Sequence, residues 1–218
     1  MKYNAVIFDL DGTLVNTLRD IAESVNFALR KYQQPIHPVE SYRLKVGDGN
    51  KVLVQRSLPP DQQHLAEPIL KMQMDYYAKH VCVYSQPYPH IPELLTELKK
   101  MSLKLAVLSN KPDRFMLPLI GKLFAQGVFD RIQGQTEGIP LKPDPTFALA
   151  IAHDLQVTPA ETAYLGDTGV DMQTANHAGM FAVGAAWGFR DRDELRQNGC
   201  QALIEKPMQL ISLLQNES

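Results

Sequence analysis

The sequence has few of the residues that build disulfides or zinc sites. Only Cys82 and Cys200 occur among 218 residues, and they do not form a metal-binding pair. The six histidines are scattered, without the spacing of zinc ligands. These shortages argue against a zinc centre, and we expect two buried free thiols in a reducing cytoplasm.

An excess of charge and a long hydrophobic run are missing as well. The 22 Lys and Arg residues nearly balance the 24 Asp and Glu residues, and the net charge of −2 gives no general attraction to nucleic acid or to an anionic membrane. No apolar run approaches the length of a membrane span, and the first segment is too short and too acidic for a signal peptide. We expect a cytoplasmic protein without nucleic-acid or membrane partners, either a monomer or a homodimer.

The pattern that is present is typical of an α/β protein. Residues 4–8 (NAVIF) are β-branched and aromatic and end at a charged loop, which indicates a buried strand. From residue 83 onward, segments with strand and helix patterns alternate. This order predicts a mostly parallel sheet with helices on both faces, and the first strand belongs to that sheet.

Residues 16–82 interrupt this order with helical spacing of apolar residues and no strand pattern. Thr17 fits a helix N-cap, and Asp20 three residues later fits a variant of the capping box. We therefore predict an α/β core of residues 1–15 and 83–218 and a helical insertion of residues 16–82 after the first strand.

Polar side chains follow three of the predicted strands. In open α/β sheets, ligands bind at the carboxyl ends of the strands. The residues at these ends are Asp9 and Asp11 after the first strand, Ser109, Asn110 and Lys111 after LAVL, and Asp167 after AYLG. Lys142 lies in a loop before a later helix. If the strands are neighbours, these groups converge on one edge of the sheet.

Such a cluster of carboxylates favours a bound cation, because like charges at close range repel each other. Oxygen ligands without His or Cys favour Mg²⁺, which also takes a phosphate oxygen as a ligand. Ser109 and Lys142 suit a phosphate group. The turn at Gly12 and Thr13 offers backbone N–H groups to the same anion.

Four segments carry a resemblance to a known family. DLDGTLVNT, LSNK, LKPDP and LGDTGVD match, in order, the four motifs of the haloacid dehalogenase superfamily of phosphatases. The resemblance implies a Rossmann-like core with a helical cap, and residues 16–82 match the family's cap. Within the chain, YPHIPELLTELKK and VGDGNKVLVQRSLP look like phosphoglycolate phosphatases.

The resemblance also implies roles for the charged residues. Asp9 would be the nucleophile that forms an aspartyl-phosphate, and Asp11 the general acid and then the general base. Mg²⁺ would be held by Asp9, by Asp167 and by the backbone carbonyl of Asp11. Asp171, four residues after Asp167, would act on the metal through water or a neighbouring ligand.

The remaining motif residues would stabilise the phosphoryl group. Ser109 and the backbone of Asn110 would bind its oxygens, and Lys142 would offset the charge on Asp9 and the phosphate. We expect Lys111 to be a solvated neighbour of this loop. Asn16 stands where many relatives carry Asp, and we expect only a small structural effect.

The cap would supply the selectivity for substrate. The loop from Gly47 to Lys51 opens a short helix and presents N–H groups and the Lys51 ammonium to an anion. This fits a two-carbon acid such as phosphoglycolate, although the same pattern fits a surface turn with a solvated lysine.

Three functions are compatible with the sequence. The first is a Mg²⁺-dependent phosphatase acting on a small-molecule phosphate ester, phosphoglycolate or a similar acid. The second is a phosphosugar mutase of the β-phosphoglucomutase type, which shares core and cap. The third is a non-hydrolytic phospho-acceptor module like a response-regulator receiver. Known receivers, however, are about half as long as this chain and lack a cap.

Overall fold

The computed structural model describes residues 2–216 and contains one large sheet and one small one. The strands are β1 (Ala5–Phe8), β2 (Val15–Asn16), β3 (Gln86–Pro87), β4 (Lys104–Pro112), β5 (Arg131–Gln135), β6 (Thr162–Gly166), β7 (Phe181–Ala185) and β8 (Ala202–Ile204). The large sheet is parallel, in the order β5-β4-β1-β6-β7-β8. The short apolar strand β1 is therefore central, and all four of its residues are buried.

Helices cover both faces of this sheet, as the alternating pattern predicts. The helices are α1 (Leu18–Lys31), α2 (Asn50–Gln55), α3 (Ala66–Lys79), α4 (Ile91–Lys100), α5 (Met116–Leu123), α6 (Thr146–Asp154), α7 (Gly169–Ala178), α8 (Arg192–Gln197) and α9 (Gln209–Asn216). Short 3₁₀ segments lie at Val39–Leu44, Pro60–Leu65, Asp113–Phe115 and Pro159–Glu161. Within residues 2–216, no helix combines the length and the hydrophobicity needed to cross a bilayer.

Side chains alternate along a strand, so neighbouring residues of β1 pack on opposite faces of the large sheet. In β1, Val6 and Phe8 pack in one cluster with α4, α5 and α9. Ile7 points the other way and packs with α6 and α7. The chain therefore has the Rossmann-like α/β core that the sequence predicts.

The helices between β2 and β3 form a helical insertion (residues 18–79), in which α1 packs against α3. Its two connections to the sheet pair as an antiparallel ribbon, with Val15 opposite Pro87 and Asn16 opposite Gln86. This ribbon was not predicted, because two residues are too few to show an alternating pattern. The exact division into a core and a cap of residues 16–82 stays a prediction.

The capping prediction at the start of α1 is wrong in its contacts. Thr17 occupies the N-cap position, but its hydroxyl makes no capping hydrogen bond and is buried without a partner. Asn16 accepts a hydrogen bond from the Leu18 N–H at 3.3 Å instead. The Asp20 carboxylate accepts from the N–H groups of residues 83–85 and from the Ser85 hydroxyl, so it fastens α1 to the segment that leaves the insertion.

Both cysteines are free thiols, but they are half-buried rather than buried. Cys82 lies between α3 and β3, and Cys200 lies between α8 and β8. Connecting segments run along the surface, which explains the partial exposure of thiols whose sequence context is apolar.

Candidate active site

The strand order places the predicted site residues at one edge of the sheet. Because β4 and β6 flank β1 in parallel, with Val107 and Leu165 beside Phe8, the segments that follow these three residues lie side by side. Lys142 reaches this edge from the loop between β5 and α6. The residues brought together around one cavity or its floor are Asp9, Asp11, Ser109, Asn110, Lys111, Lys142, Asp167 and Asp171.

Lys142 is the central cation of the site. Its Nζ donates to Asp9 Oδ1 at 2.8 Å, to Asp171 Oδ1 at 2.7 Å and to the Leu108 carbonyl at 3.2 Å. Burial would lower the pKa of Lys142, but the carboxylates of Asp171 and Asp9 outweigh it and hold the pKa well above its usual value. Lys142 is therefore a fixed positive charge beside Asp9.

Three buried carboxylates lie together at this point, and two of them, Asp9 and Asp171, contact the Lys142 ammonium. Oxygens of Asp9, Asp167 and Asp171 lie within 4.8 Å of one another. Burial, reinforced by the other two carboxylates, raises the pKa of Asp9 well above its usual value although Lys142 opposes the shift. Burial and then Asp171 raise the pKa of Asp167 to about 7. One ammonium facing three carboxylates leaves room for a further positive charge, and an all-oxygen donor set fits Mg²⁺.

Asp167 is held in a close-fitting cradle. It accepts from the Thr13 hydroxyl at 2.8 Å and from the Phe189 N–H at 2.7 Å. Gly12 has a φ of +99°, and a Cβ there would lie 2.3 Å from Asp167 Oδ2, so only glycine fits. The Trp187 indole donates to the Thr13 carbonyl at 3.0 Å and supports the same turn.

The predicted phosphate contact of the Gly12 N–H needs correction. This group donates to the Val15 carbonyl at 2.9 Å, so it is already used inside the turn. The hydroxyl of Thr13 is likewise committed to Asp167. Gly12 serves the site by allowing the close approach of Asp167, and that requirement comes from a residue about 150 positions later in the chain.

Asp171 has two separate tasks at the start of α7. Its Oδ2 accepts from the N–H and the hydroxyl of Thr168 at 3.0 and 2.7 Å, which forms a capping box. Its Oδ1 contacts Lys142. The helix start therefore fixes the carboxylate that helps to orient the lysine.

Ser109 and Asn110 lie near the end of the buried part of β4, which runs to Lys111, and are themselves buried. The Asn110 side chain accepts from the Lys142 N–H at 2.9 Å and donates to the Gly47 carbonyl at 2.9 Å. It therefore ties the Lys142 loop to the helical insertion. The Ser109 hydroxyl accepts from the Lys111 N–H at 3.3 Å and lines the cavity.

The prediction that Lys111 is solvated is wrong. Its side chain is only 4% exposed, and its Nζ lies 3.0 and 3.2 Å from the two carboxylate oxygens of Asp11. Its ammonium also stands over the Tyr77 ring, 4.7 Å from the centroid. Partners that lie far away in the sequence bury this lysine, so the local pattern gave no signal for it.

Lys51 is not brought to the cavity. Its side chain is 65% exposed, and its Nζ lies 3.6 Å from Glu67 on α3. Helix α2 begins at Asn50, one residue before Lys51. Asn50 lines the cavity together with Gly47 and Gly49, while Lys51 faces away from it.

The cavity between core and insertion is small, with a volume of about 40 Å³. A buried water needs roughly 10–15 Å³ on this measure, so the space holds a few atoms beyond the enclosed side chains. The residues of the insertion that line this cavity are Ile21, Val46, Gly47, Gly49, Asn50 and Leu53. A substrate must be small or must displace the insertion to enter.

Comparison with known proteins agrees with this arrangement. The family model of haloacid dehalogenase-like hydrolases matches residues 6–185. The chain belongs to this family. The matched range includes every core residue of the site, from Asp9 to Asp171.

Curated relatives and a solved structure extend the similarity over the rest of the chain. The phosphoglycolate phosphatase of Pseudomonas savastanoi pv. phaseolicola is 33% identical over 94% of this chain and 78% of its own length. That of Haemophilus influenzae is 28% identical over 98% and 99%. A crystal structure of a Lactobacillus delbrueckii subsp. bulgaricus protein superposes with a TM-score of 0.92, at 30% identity and with 98% and 99% coverage. The chain is an enzyme, a phosphoric monoester hydrolase related to phosphoglycolate phosphatases.

Proposed function

We propose that this enzyme is a Mg²⁺-dependent phosphatase that forms an aspartyl-phosphate on Asp9. We propose phosphoglycolate or a similar small phosphorylated acid as its substrate. The observation that carries this proposal is a buried carboxylate, Asp9, paired with Lys142 beside two further carboxylates under a cavity of about 40 Å³. The names of the relatives support the choice of substrate.

Asp9 acts as the nucleophile. Its carboxylate attacks phosphorus, the P–O bond to the organic group breaks, and Asp11 gives a proton to the leaving oxygen. Asp11 then takes a proton from water, the water oxygen attacks phosphorus, and Asp9 leaves the phosphate as a carboxylate. The two aspartates thus perform different steps on one phosphoryl group.

The other motif residues stabilise charge during both displacements. Lys142 offsets the charge of Asp9 and of the phosphoryl oxygens, and Ser109 and the Asn110 N–H bind those oxygens. The carboxylates of Asp9 and Asp167 and the carbonyl of Asp11 would hold Mg²⁺, with Asp171 acting indirectly. When bound, the cation neutralises the negative charge that the transferring phosphoryl group adds to the site.

The test is phosphate release from a panel of monoesters that includes phosphoglycolate, with Mg²⁺ and with EDTA. We expect release that needs Mg²⁺ and falls by at least about 1,000-fold in Asp9→Asn, with phosphoglycolate among the best substrates. Asp75→Asn makes the same change at an exposed position of α3 and serves as the control. Intact-mass measurement after rapid quenching should detect the phosphorylated wild type only.

Other outcomes would favour a different function or contradict a part of the proposal. Transfer between sugar phosphates without net release would favour the mutase, and a stable phosphoprotein would favour the acceptor module. Equal activity in EDTA would contradict the metal requirement. A cytoplasmic location and a monomeric or homodimeric state stay predictions.

A further inference from the structure

We infer that Lys111 binds the carboxylate of the substrate and so selects acids phosphorylated on the carbon next to the carboxylate. This inference rests on the proposed function, because it uses the direction in which the leaving group departs. It assigns to a lysine of the core the task for which the sequence offered Lys51 as a candidate.

The charges around the cavity leave Lys111 as the available cation. Within residues 2–216, the cationic side chains that line the cavity are Lys111 and Lys142. Lys142 is held between Asp9 and Asp171 and neutralises the attacking group. Lys111 faces one carboxylate, Asp11, whose two oxygens it contacts. An ammonium has three N–H donors, and the two Asp11 oxygens and the Tyr77 side chain stand around them, so a substrate carboxylate would share this ammonium with Asp11.

The position of Lys111 fits the organic part of the substrate. In an in-line displacement the leaving oxygen departs on the side of phosphorus opposite Asp9. Asp11 must reach that oxygen to protonate it. The group beyond the leaving oxygen therefore lies next to Asp11, and Lys111 Nζ is 3.0 Å from the Asp11 carboxylate. With one carbon between oxygen and carboxylate, the acid group falls beside this ammonium.

The surroundings of Lys111 strengthen the attraction. The side chain is 4% exposed, and the Tyr77 ring lies 4.7 Å from its ammonium. Ile21, Val46 and Leu53 add apolar walls to the cavity. Charge pairs are worth more in such a water-poor space than at the surface.

The decisive experiment compares two substrates in Lys111→Met. Phosphoglycolate carries the carboxylate, and ethyl phosphate has a similar size without it. We expect the ratio of their kcat/KM values, phosphoglycolate over ethyl phosphate, to fall at least about tenfold in this variant. Lys111→Arg should keep most of the preference, and Lys79→Met, an exposed lysine of α3, should keep all of it.

The ratio separates substrate binding from an effect on Asp11. If Lys111 only positioned Asp11, both substrates would lose the same factor and the inference would be overturned. The wild type provides a test that does not depend on the folding of a variant, because hydrolysis of both esters without preference would also overturn it. If neither ester were hydrolysed, the result would instead contradict the proposed function itself.

Discussion

The core side and the insertion side of the cavity are built from different kinds of residue. Every core residue that lines it is polar or charged, and most are held by two or more hydrogen bonds. The lining residues of the insertion, within the described part of the chain, are apolar, glycine or the amide Asn50. One side therefore supplies charge at fixed positions, and the other supplies shape and excludes water.

This difference separates two kinds of specificity. A wall without charged side chains can limit the size of a substrate, but it has little to offer a carboxylate. On the proposed function, recognition of an acid would then come from the core, where we place Lys111 beside the leaving group. In this proposal the insertion selects substrates by size and the core selects them by charge.

The largest effect should follow from removing the central cation of the core. Lys142→Met leaves Asp9 and Asp171 buried without their partner, which costs about 3–5 kcal/mol of stability. It should also lower kcat/KM by at least about 1,000-fold. Urea unfolding and phosphate release check the two effects, and Lys79→Met is the surface control. Wild-type activity in the variant would show that the charge of Lys142 is dispensable.

A smaller loss of stability should follow from cutting the contact between α1 and the exit of the insertion. Asp20→Ala leaves the N–H groups of residues 83–85 without their acceptor, at a cost of about 1–3 kcal/mol. The measurement is urea unfolding, with Asp75→Ala as the exposed control. An unchanged midpoint would mean that water replaces Asp20 at no cost.

The shape of the insertion can be tested at Leu53, which is 3% exposed and lines the cavity. Leu53→Ala should cost about 2 kcal/mol of stability. Because it widens the cavity, the kcat/KM for a bulkier monoester should rise severalfold relative to phosphoglycolate. A substrate ranking identical to that of the wild type would argue that the insertion does not select substrates by size.

The smallest effect is expected at Lys51. Because its ammonium is exposed and faces Glu67, Lys51→Ala should change the KM for phosphoglycolate by less than about twofold. Steady-state kinetics with phosphoglycolate and ethyl phosphate check this. A tenfold rise in KM for the acid alone would restore the role that the sequence suggested and would break the contrast between the two sides.

The sequence predicted the parts that local pattern controls. The run before Asp9 reads as a buried strand, and parallel order brings Asp9, Ser109 and Asp167 to one edge once the strands are neighbours, as β4, β1 and β6 are. Motif order identified the family correctly. Gly179 closes α7 in the left-handed conformation typical of a helix C-terminus, with a φ of +71°.

Several of the failures concern partners that are distant in the chain. Asp20 has the spacing of a capping box, yet its hydrogen-bond donors lie more than 60 residues later. In the sequence Lys111 follows the apolar run LAVL like a solvated lysine, yet it lies within β4, and Asp11 and Tyr77 bury it. The side of α2 on which Lys51 lies depends on how the insertion packs over the core, and spacing alone does not specify this.

The ribbon formed by β2 and β3 has a consequence for how the molecule can be altered. Because Val15 and Asn16 pair with Pro87 and Gln86, the chain leaves and re-enters the core at neighbouring points. Segments whose ends lie close together can be exchanged with little disturbance to the host. The insertion should therefore be exchangeable: a different helical segment joined to the same ribbon would change the wall of the cavity and leave Asp9, Asp167 and Asp171 in place.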